Sequence, residues 1–310
     1  MASLGAGSTD MKSDRLPSQF ALLLFLVVVL AWGCNWPVTK MMVQSTSPLW
    51  TVALRSIVAT VVLLGVLWVQ GNLVVPRRED LPVVFGIALP HMVAFSTLVA
   101  IGIQFVPAGR AIVLGYTTPL WVIPAARLFL GEPITRYHLV GGAVALTGLG
   151  IMFNPASFDW NDGAALLGNG LLLLAAACWA ISIVYVRAHR WVSTPFQLVF
   201  WEALLASGVL TLLALLIDGV PKVKWTPSLV LLLLYGGVVG NALAYWAIAM
   251  VNRSLPAAVT SLGLLATPVV GTLSAAIALG EPITSSLLIA MTLIVGGIAM
   301  GTVKQARSQP

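Results

Sequence analysis

Between residues 20 and 303 this chain is an almost unbroken succession of apolar runs separated only by short polar links. The runs fall at 20–39, 48–70, 81–104, 108–130, 137–153, 163–187, 195–217, 227–251, 257–279 and 283–303. A helix crosses the hydrocarbon of a bilayer in about 20 residues, so each run is a candidate span. Lipid offers backbone groups no water partner, which leaves helices or closed barrels as the only spanning structures. Strand-like alternation is absent, and helices are therefore expected. Composition closes the soluble alternative. Only 8% of residues are charged and mean hydropathy is +0.99, whereas a soluble domain carries roughly 25% charged residues to clothe its surface. The sequence predicts an all-α integral membrane protein with ten transmembrane helices.

Little is left for anything else. The longest stretches outside the runs are residues 1–19, 75–80, 154–162 and 218–226, none able to fold into an extramembrane domain. The first run is too long for the core of a signal peptide and is expected to be retained. Cys34 and Cys178 both fall inside spans, so free buried thiols are expected rather than a disulfide framework. With the N-terminus in the cytoplasm, inner loops collect Lys12, Arg15, Arg77, Arg78, Arg127, Arg136, Arg187, Arg190, Arg253, Lys304 and Arg307. The opposite side holds Lys222 and Lys224, with Lys40 and Arg110 near helix ends. That bias obeys the positive-inside rule and puts both termini in the cytoplasm. It also accounts for the net charge of +6 without any nucleic-acid partner.

The string LGEPIT occurs at residues 130–135 and again at 279–284. Its surroundings match too: Pro119 and Pro268 precede the copies by the same distance, and Trp32/Trp179, Pro48/Pro195 and Arg55/Glu202 are each 147 apart. Five spans separate the two copies, and five is odd. The halves are then inserted upside down relative to each other, as two inverted five-helix repeats about a pseudo-two-fold axis in the membrane plane. The expected division is a cytoplasmic tail at 1–19, repeat one at 20–154, repeat two at 155–303 and a cytoplasmic tail at 304–310. Within each copy of the string the chemistry is that of a tight helix–helix turn. Gly131 and Gly280 can take the left-handed conformation that ends a helix, and Pro133 and Pro282 suit the first position of the next one. Glu132 and Glu281 would put negative charge at that helix's N-terminus, favoured by its dipole; proton coupling is the other role open to them.

Ala31–Lys40, AWGCNWPVTK, resembles the first-helix signature of the EamA branch of the drug/metabolite transporter superfamily. Arg55 in the second span and LGEPIT after the fourth and ninth resemble that branch as well, and the likeness covers residues 20 to 303. The resemblance implies a ten-helix secondary transporter in the bacterial inner membrane, often an exporter of amino acids or other small metabolites, with no cofactor. The second half departs from the first, with Cys178-Trp179-Ala180 where the first has Ala31-Trp32-Gly33, and Glu202 in place of the arginine.

An alternating-access carrier holds its cargo near the bilayer midplane, where the repeats meet. Counting 1.5 Å per residue, Trp32, His91, Tyr116, Trp179, Asn241 and Tyr245 fall at that depth and are the candidate substrate-binding residues. Polar groups there are costly unless they face a cavity or a partner. His91 could hold a carboxylate or a proton, or bond a carbonyl freed by the adjacent Pro90. The aromatics could line a cavity or pack between helices, and Asn241, following Gly236, Gly237 and Gly240, could bind cargo or bridge helices. Arg55 and Glu202 each lie seven residues past the proline that opens their span, but from opposite faces. That leaves them roughly 10 Å apart along the normal in a core about 30 Å thick. Each is expected to serve its own half, as a gating or coupling group or a structural anchor.

No HExxH zinc site, GxSxG elbow or selectivity-filter sequence is present, so neither enzyme nor channel is expected. The reading is a monomeric exporter of small metabolites, amino acids first, including aromatic or neutral ones. An extruder of drugs or hydrophobic cations is the alternative. It would want an acid deep in the cavity, where the midplane offers aromatics and a histidine.

Overall fold

The protein's structure, a computed structural model, describes residues 16–131, 133–153, 161–189, 192–255 and 263–307. Its described residues are helical, with no strand among them. Helices α1 (Ser18–Val43) and α2 (Pro48–Val69) are followed by α3, built from Leu81–Ile87, a π-helical stretch Ala88–Phe95, and Ser96–Gly102. Helix α4 comprises Ala108–Gly115 and Thr118–Leu130, and α5 is Arg136–Phe153. In the second half α6 is Gly163–Arg187, α7 is Pro195–Ile217, and α8 joins Pro227–Leu234, a π-helical Tyr235–Leu243, and Ala244–Ser254. Helices α9 (Thr267–Leu279) and α10 (Ser285–Arg307) complete it. Seven of these (α1 to α4 and α6 to α8) are long and apolar enough to cross a membrane, while Thr267–Leu279 and Ser285–Met300 are shorter apolar helices. The start of the span expected at 257–279 lies outside the described residues. Cys34 and Cys178 are free.

Local chemistry starts the helices. Ser47, Thr194 and Thr226 each accept a hydrogen bond from a backbone N–H three residues on, and each precedes a proline at the first helical position. That residue has no N–H to satisfy, and its φ is already helical. At Thr194 the partner Gln197 completes a reciprocal cap.

The sequence repeat reappears as repeated geometry. Helices α2 and α7 start 147 residues apart, and so do the two π-helical stretches, at Ala88 and Tyr235. Thr118–Leu130 and Thr267–Leu279 correspond in length, and both end on a left-handed glycine, Gly131 (φ 70°) and Gly280 (φ 67°). Equivalent residues meet across the halves. The Thr60 hydroxyl lies 3.4 Å from that of Ser207, 147 positions on, where α2 packs against α7. The pair runs antiparallel: Trp50 at the start of α2 donates its indole N–H to Gly219 O beyond the end of α7 (3.0 Å), and Trp201 donates to Val74 O beyond α2 (2.8 Å). Helices α5 and α10 approach in the same reciprocal way. Gly148 faces Ala290 O and Gly297 faces Gly141 O, contacts that leave no room for a Cβ. Small residues of this kind let helix backbones pack closely in lipid.

At the GEPIT turns the structure departs from the expectation in two respects. Pro133 and Pro282 precede the next helices by three residues, because α5 begins at Arg136 and α10 at Ser285. Thr135 and Thr284 take the capping position instead, accepting from His138 N (3.3 Å) and Leu287 N (3.2 Å). The Glu281 carboxylate serves a helix terminus, but not that of its own neighbour. It accepts from Ala108 N (2.7 Å) and Gly109 N (2.9 Å) at the start of α4 and pairs with Lys40 Nζ at 3.4 Å. The physics is the expected one, an anion on the positive end of a helix dipole. The helix is one brought alongside by tertiary packing. Glu132 lies outside the described residues. On another link, fully buried Asp80 accepts from Val192 N (3.1 Å), Ser193 N (3.0 Å) and Ser193 Oγ (2.7 Å), joining the segment before α3 to the one before α7.

Candidate functional site

A cavity of about 80 Å³ lies among α1, α2, α3, α4, α6 and α8, room for a small solute or a few waters. All six residues picked by depth, Trp32, His91, Tyr116, Trp179, Asn241 and Tyr245, are in its wall. They arrive from five helices and from both halves. Their rings form one connected set. His91 lies parallel to the Trp179 indole, centroids 5.1 Å apart at 5°, and meets Tyr245 edge-on at 6.1 Å. Tyr116 stands perpendicular to Trp179 at 5.8 Å, and Trp32 meets Tyr245 edge-on at 6.1 Å. Phe95 closes the group, 5.3 Å from Trp179 and 5.5 Å from His91. Edge-to-face and offset pairs are the favoured aromatic geometries, so the wall is apolar yet presents a ring nitrogen and phenol oxygens.

The π-helical stretches are what set the polar wall. An extra residue in a turn rotates the following side chains and recurs at functional sites. Pro90, which has no N–H to donate, sits in the first stretch beside His91; the second carries Gly236, Gly237 and Gly240. Those glycines admit α2 and α1. A Cβ at Gly236 would lie 2.7 Å from Arg55 Cδ, and one at Gly240 would lie 2.6 Å from Asn35 Oδ1.

Arg55 therefore belongs to the cavity. It is 6% exposed, its Nη1 donates to Thr39 Oγ1 at 3.0 Å, and its Nε has no hydrogen-bond partner. Thr39 in turn donates to Asn35 O at 2.7 Å, which aims its oxygen lone pairs at the guanidinium. Glu202, equally buried at 4%, has one carboxylate oxygen without a partner and forms no ion pair with Arg55. The two charges expected to be kept apart by depth are not in contact. Gly131, Gly280, Pro133 and Pro282 are not in the cavity wall and belong to the turns described above, and Glu281, also absent from the wall, holds the start of α4.

Depth counting missed Asn35, Trp36, Thr39, Phe95, Ser96 and Val99, which also line the cavity. A signal was available. Trp32, Asn35, Trp36 and Thr39 stand at i, i+3, i+4 and i+7, one face of a helix.

The sequence pattern of the EamA-like transporter family matches residues 19–154 and, a second time, residues 166–302. The chain belongs to the EamA-like transporter family. Relatives extend over nearly its whole length. It is 26% identical to "Uncharacterized transporter YoaV" of Bacillus subtilis over 281 residues, 91% of this chain and 96% of that protein. It is 29% identical to the "Probable amino-acid metabolite efflux pump" of Salmonella typhimurium, over 89% and 92% of the two chains. With "Uncharacterized inner membrane transporter YedA" of Escherichia coli (strain K12) the identity is 27% over 94% and 93%. A solved crystal structure superposes over 94% of this chain and 99% of its own with a TM-score of 0.65 at 21% identity, which establishes the shared fold. The protein is a multi-pass membrane transporter.

Proposed function

We propose that this EamA-family protein is an alternating-access exporter of small metabolites, amino acids first among them, in a bacterial inner membrane. The observation that carries the reading is the central cavity, walled by both halves and combining stacked aromatics, amides and one buried cation. Such a wall suits a solute with an apolar side chain and a charged or polar head. Ten spans divide into repeat one (20–154) and repeat two (155–303), threaded with opposite polarity, with both terminal tails in the cytoplasm and one chain sufficing for function. Antiparallel, reciprocal packing of α2 on α7 and of α5 on α10 supports inversion, because equivalent residues meet that way about a two-fold axis perpendicular to the helices. The Lys/Arg bias of the loops supports the orientation. In transport the halves rock about the cavity and open it to each face in turn. The wall residues Trp32, His91, Tyr116, Trp179, Asn241 and Tyr245 contact cargo, while Glu202 acts in gating or coupling within its own half. The name of the Salmonella relative agrees with amino acids as cargo.

The test is efflux from proteoliposomes loaded with a panel of labelled amino acids, run with and without an imposed pH gradient. Efflux of at least one amino acid above protein-free liposomes is expected. Transport of lipophilic cations only, such as ethidium or tetraphenylphosphonium, would overturn it in favour of a drug extruder.

A further inference from the structure

A buried guanidinium with an idle N–H, and no acidic side chain within ion-pair distance among the described residues, is an unfinished interaction. Taking a cation out of water is costly unless it is paired. Among the described residues the side-chain hydrogen bond Arg55 makes goes to the neutral hydroxyl of Thr39, with the neutral Tyr245 phenol in the same wall. A planar guanidinium matches a carboxylate, which it can grip with two parallel N–H bonds. On the same wall Asn35 Oδ1 is buried and has no donor. Gly236 abuts the Arg55 stem at Cδ and Gly240 abuts Asn35 Oδ1, so the two side chains meet α8 four residues apart, about one turn or ~6 Å at the α-helical rise. Carboxylate and ammonium of one α-amino acid bridge a gap of that size.

We infer that Arg55 and Asn35 are the head-group receptors of the cavity, Arg55 taking the carboxylate and Asn35 Oδ1 the ammonium of a zwitterionic α-amino acid. This rests on the transport reading above and sharpens it. Thr39 is a positioning residue for Arg55: its hydroxyl donates to the Asn35 backbone carbonyl and accepts from Arg55 Nη1, which holds the guanidinium against α1. The His91–Trp179 stack then faces the cargo's side chain. The charge also selects against lipophilic cations, which would meet a like charge in the cavity.

The experiment is counterflow of labelled L-phenylalanine and L-leucine into proteoliposomes of the full-length wild-type protein. The competitors are unlabelled phenylalanine, phenylalaninamide, phenethylamine and phenylpropionate. The acid is expected to compete at least tenfold better than its amide or the amine, with phenylpropionate between. Arg55→Lys should keep part of that preference and Arg55→Gln should lose it. Asn35→Leu should narrow the gap between phenylalanine and phenylpropionate. Equal competition by acid and amide in the wild type, which needs no variant to fold, would overturn the assignment while leaving amino-acid transport intact. Carriage of ethidium or tetraphenylphosphonium with no zwitterion would instead remove the transport reading and this inference together.

Discussion

Arg55 and Glu202 occupy corresponding places in α2 and α7, 147 residues apart, and the two environments differ. Both side chains are buried, at 6% and 4% exposure, and both leave a polar atom without a partner. Arg55 is turned into the central cavity and oriented by Thr39, whereas Glu202 is absent from that wall. Duplication kept the helix, its proline start and even the meeting of Thr60 with Ser207. What diverged is which half lends its charge to the cavity. Repeat one supplies a cation through the polar face of α1. Repeat two supplies Trp179 through α6 and Asn241 and Tyr245 through α8, and no charge. A duplicated pair of halves can in this way form an asymmetric pocket.

Substitutions can break that comparison, and their effects should fall in a definite order. Arg55→Ala comes first. Truncating a buried, hydrogen-bonded charge partner costs about 2–5 kcal/mol in binding, so amino-acid efflux should drop by about 30-fold or more while gel filtration shows a monodisperse protein. Loss of fold instead of loss of transport would make Arg55 an anchor. Gly236→Ala comes second, since its Cβ would press on Arg55 Cδ. Displacing the guanidinium should cost about tenfold in transport, on the order of 1–2 kcal/mol, with a raised KM as the signature. Glu281→Gln is next. It weakens the carboxylate's hold on Lys40 and on the start of α4, a charge-assisted contact worth about 1 kcal/mol, and should lower the melting temperature by a few degrees with KM unchanged. Glu202→Gln is last: KM should stay within about twofold, because the carboxylate does not face the cargo. A tenfold rise there would erase the distinction between the halves.

The fold was legible because solvent dictates it. Apolar runs of about 20 residues in lipid have few alternatives to helix, and the LGEPIT duplication points to a second half, where the family pattern matches again at residues 166–302. Depth alone then found Trp32, His91 and Trp179, since a residue near the middle of an apolar span must face other protein or a cavity if it is polar. Depth picks positions, however, one in most spans and two (Asn241 and Tyr245) in the eighth, whereas a helix offers a face. That is why Asn35 and Thr39 escaped notice beside Trp32. The off-centre depth of Arg55 suggests a gating or coupling group or an anchor; its place in the cavity wall depends on a long side chain and on the glycines of α8, which no local pattern in α2 reveals. Glu281 illustrates the remaining limit. Its helix-terminus chemistry was foreseeable, but the terminus it serves is 172 to 173 residues away and is chosen by packing. The reciprocal contacts at Gly148 and Gly297 lie in GLG and VGG strings that carry no local mark of their partner.

Opposite threading of the two halves around one pocket can be read directly from the two copies of LGEPIT. Ile134 and Ile283 hold corresponding positions in them, and both are surface-exposed, at 39% and 38%. With Cys34 and Cys178 replaced by alanine, Ile134→Cys and Ile283→Cys are introduced singly, and intact cells are treated with a membrane-impermeant maleimide. Modification of Ile283→Cys from outside, with Ile134→Cys reacting only after the cytoplasmic face is exposed, is the predicted result. Reaction of both positions from the same side would contradict it.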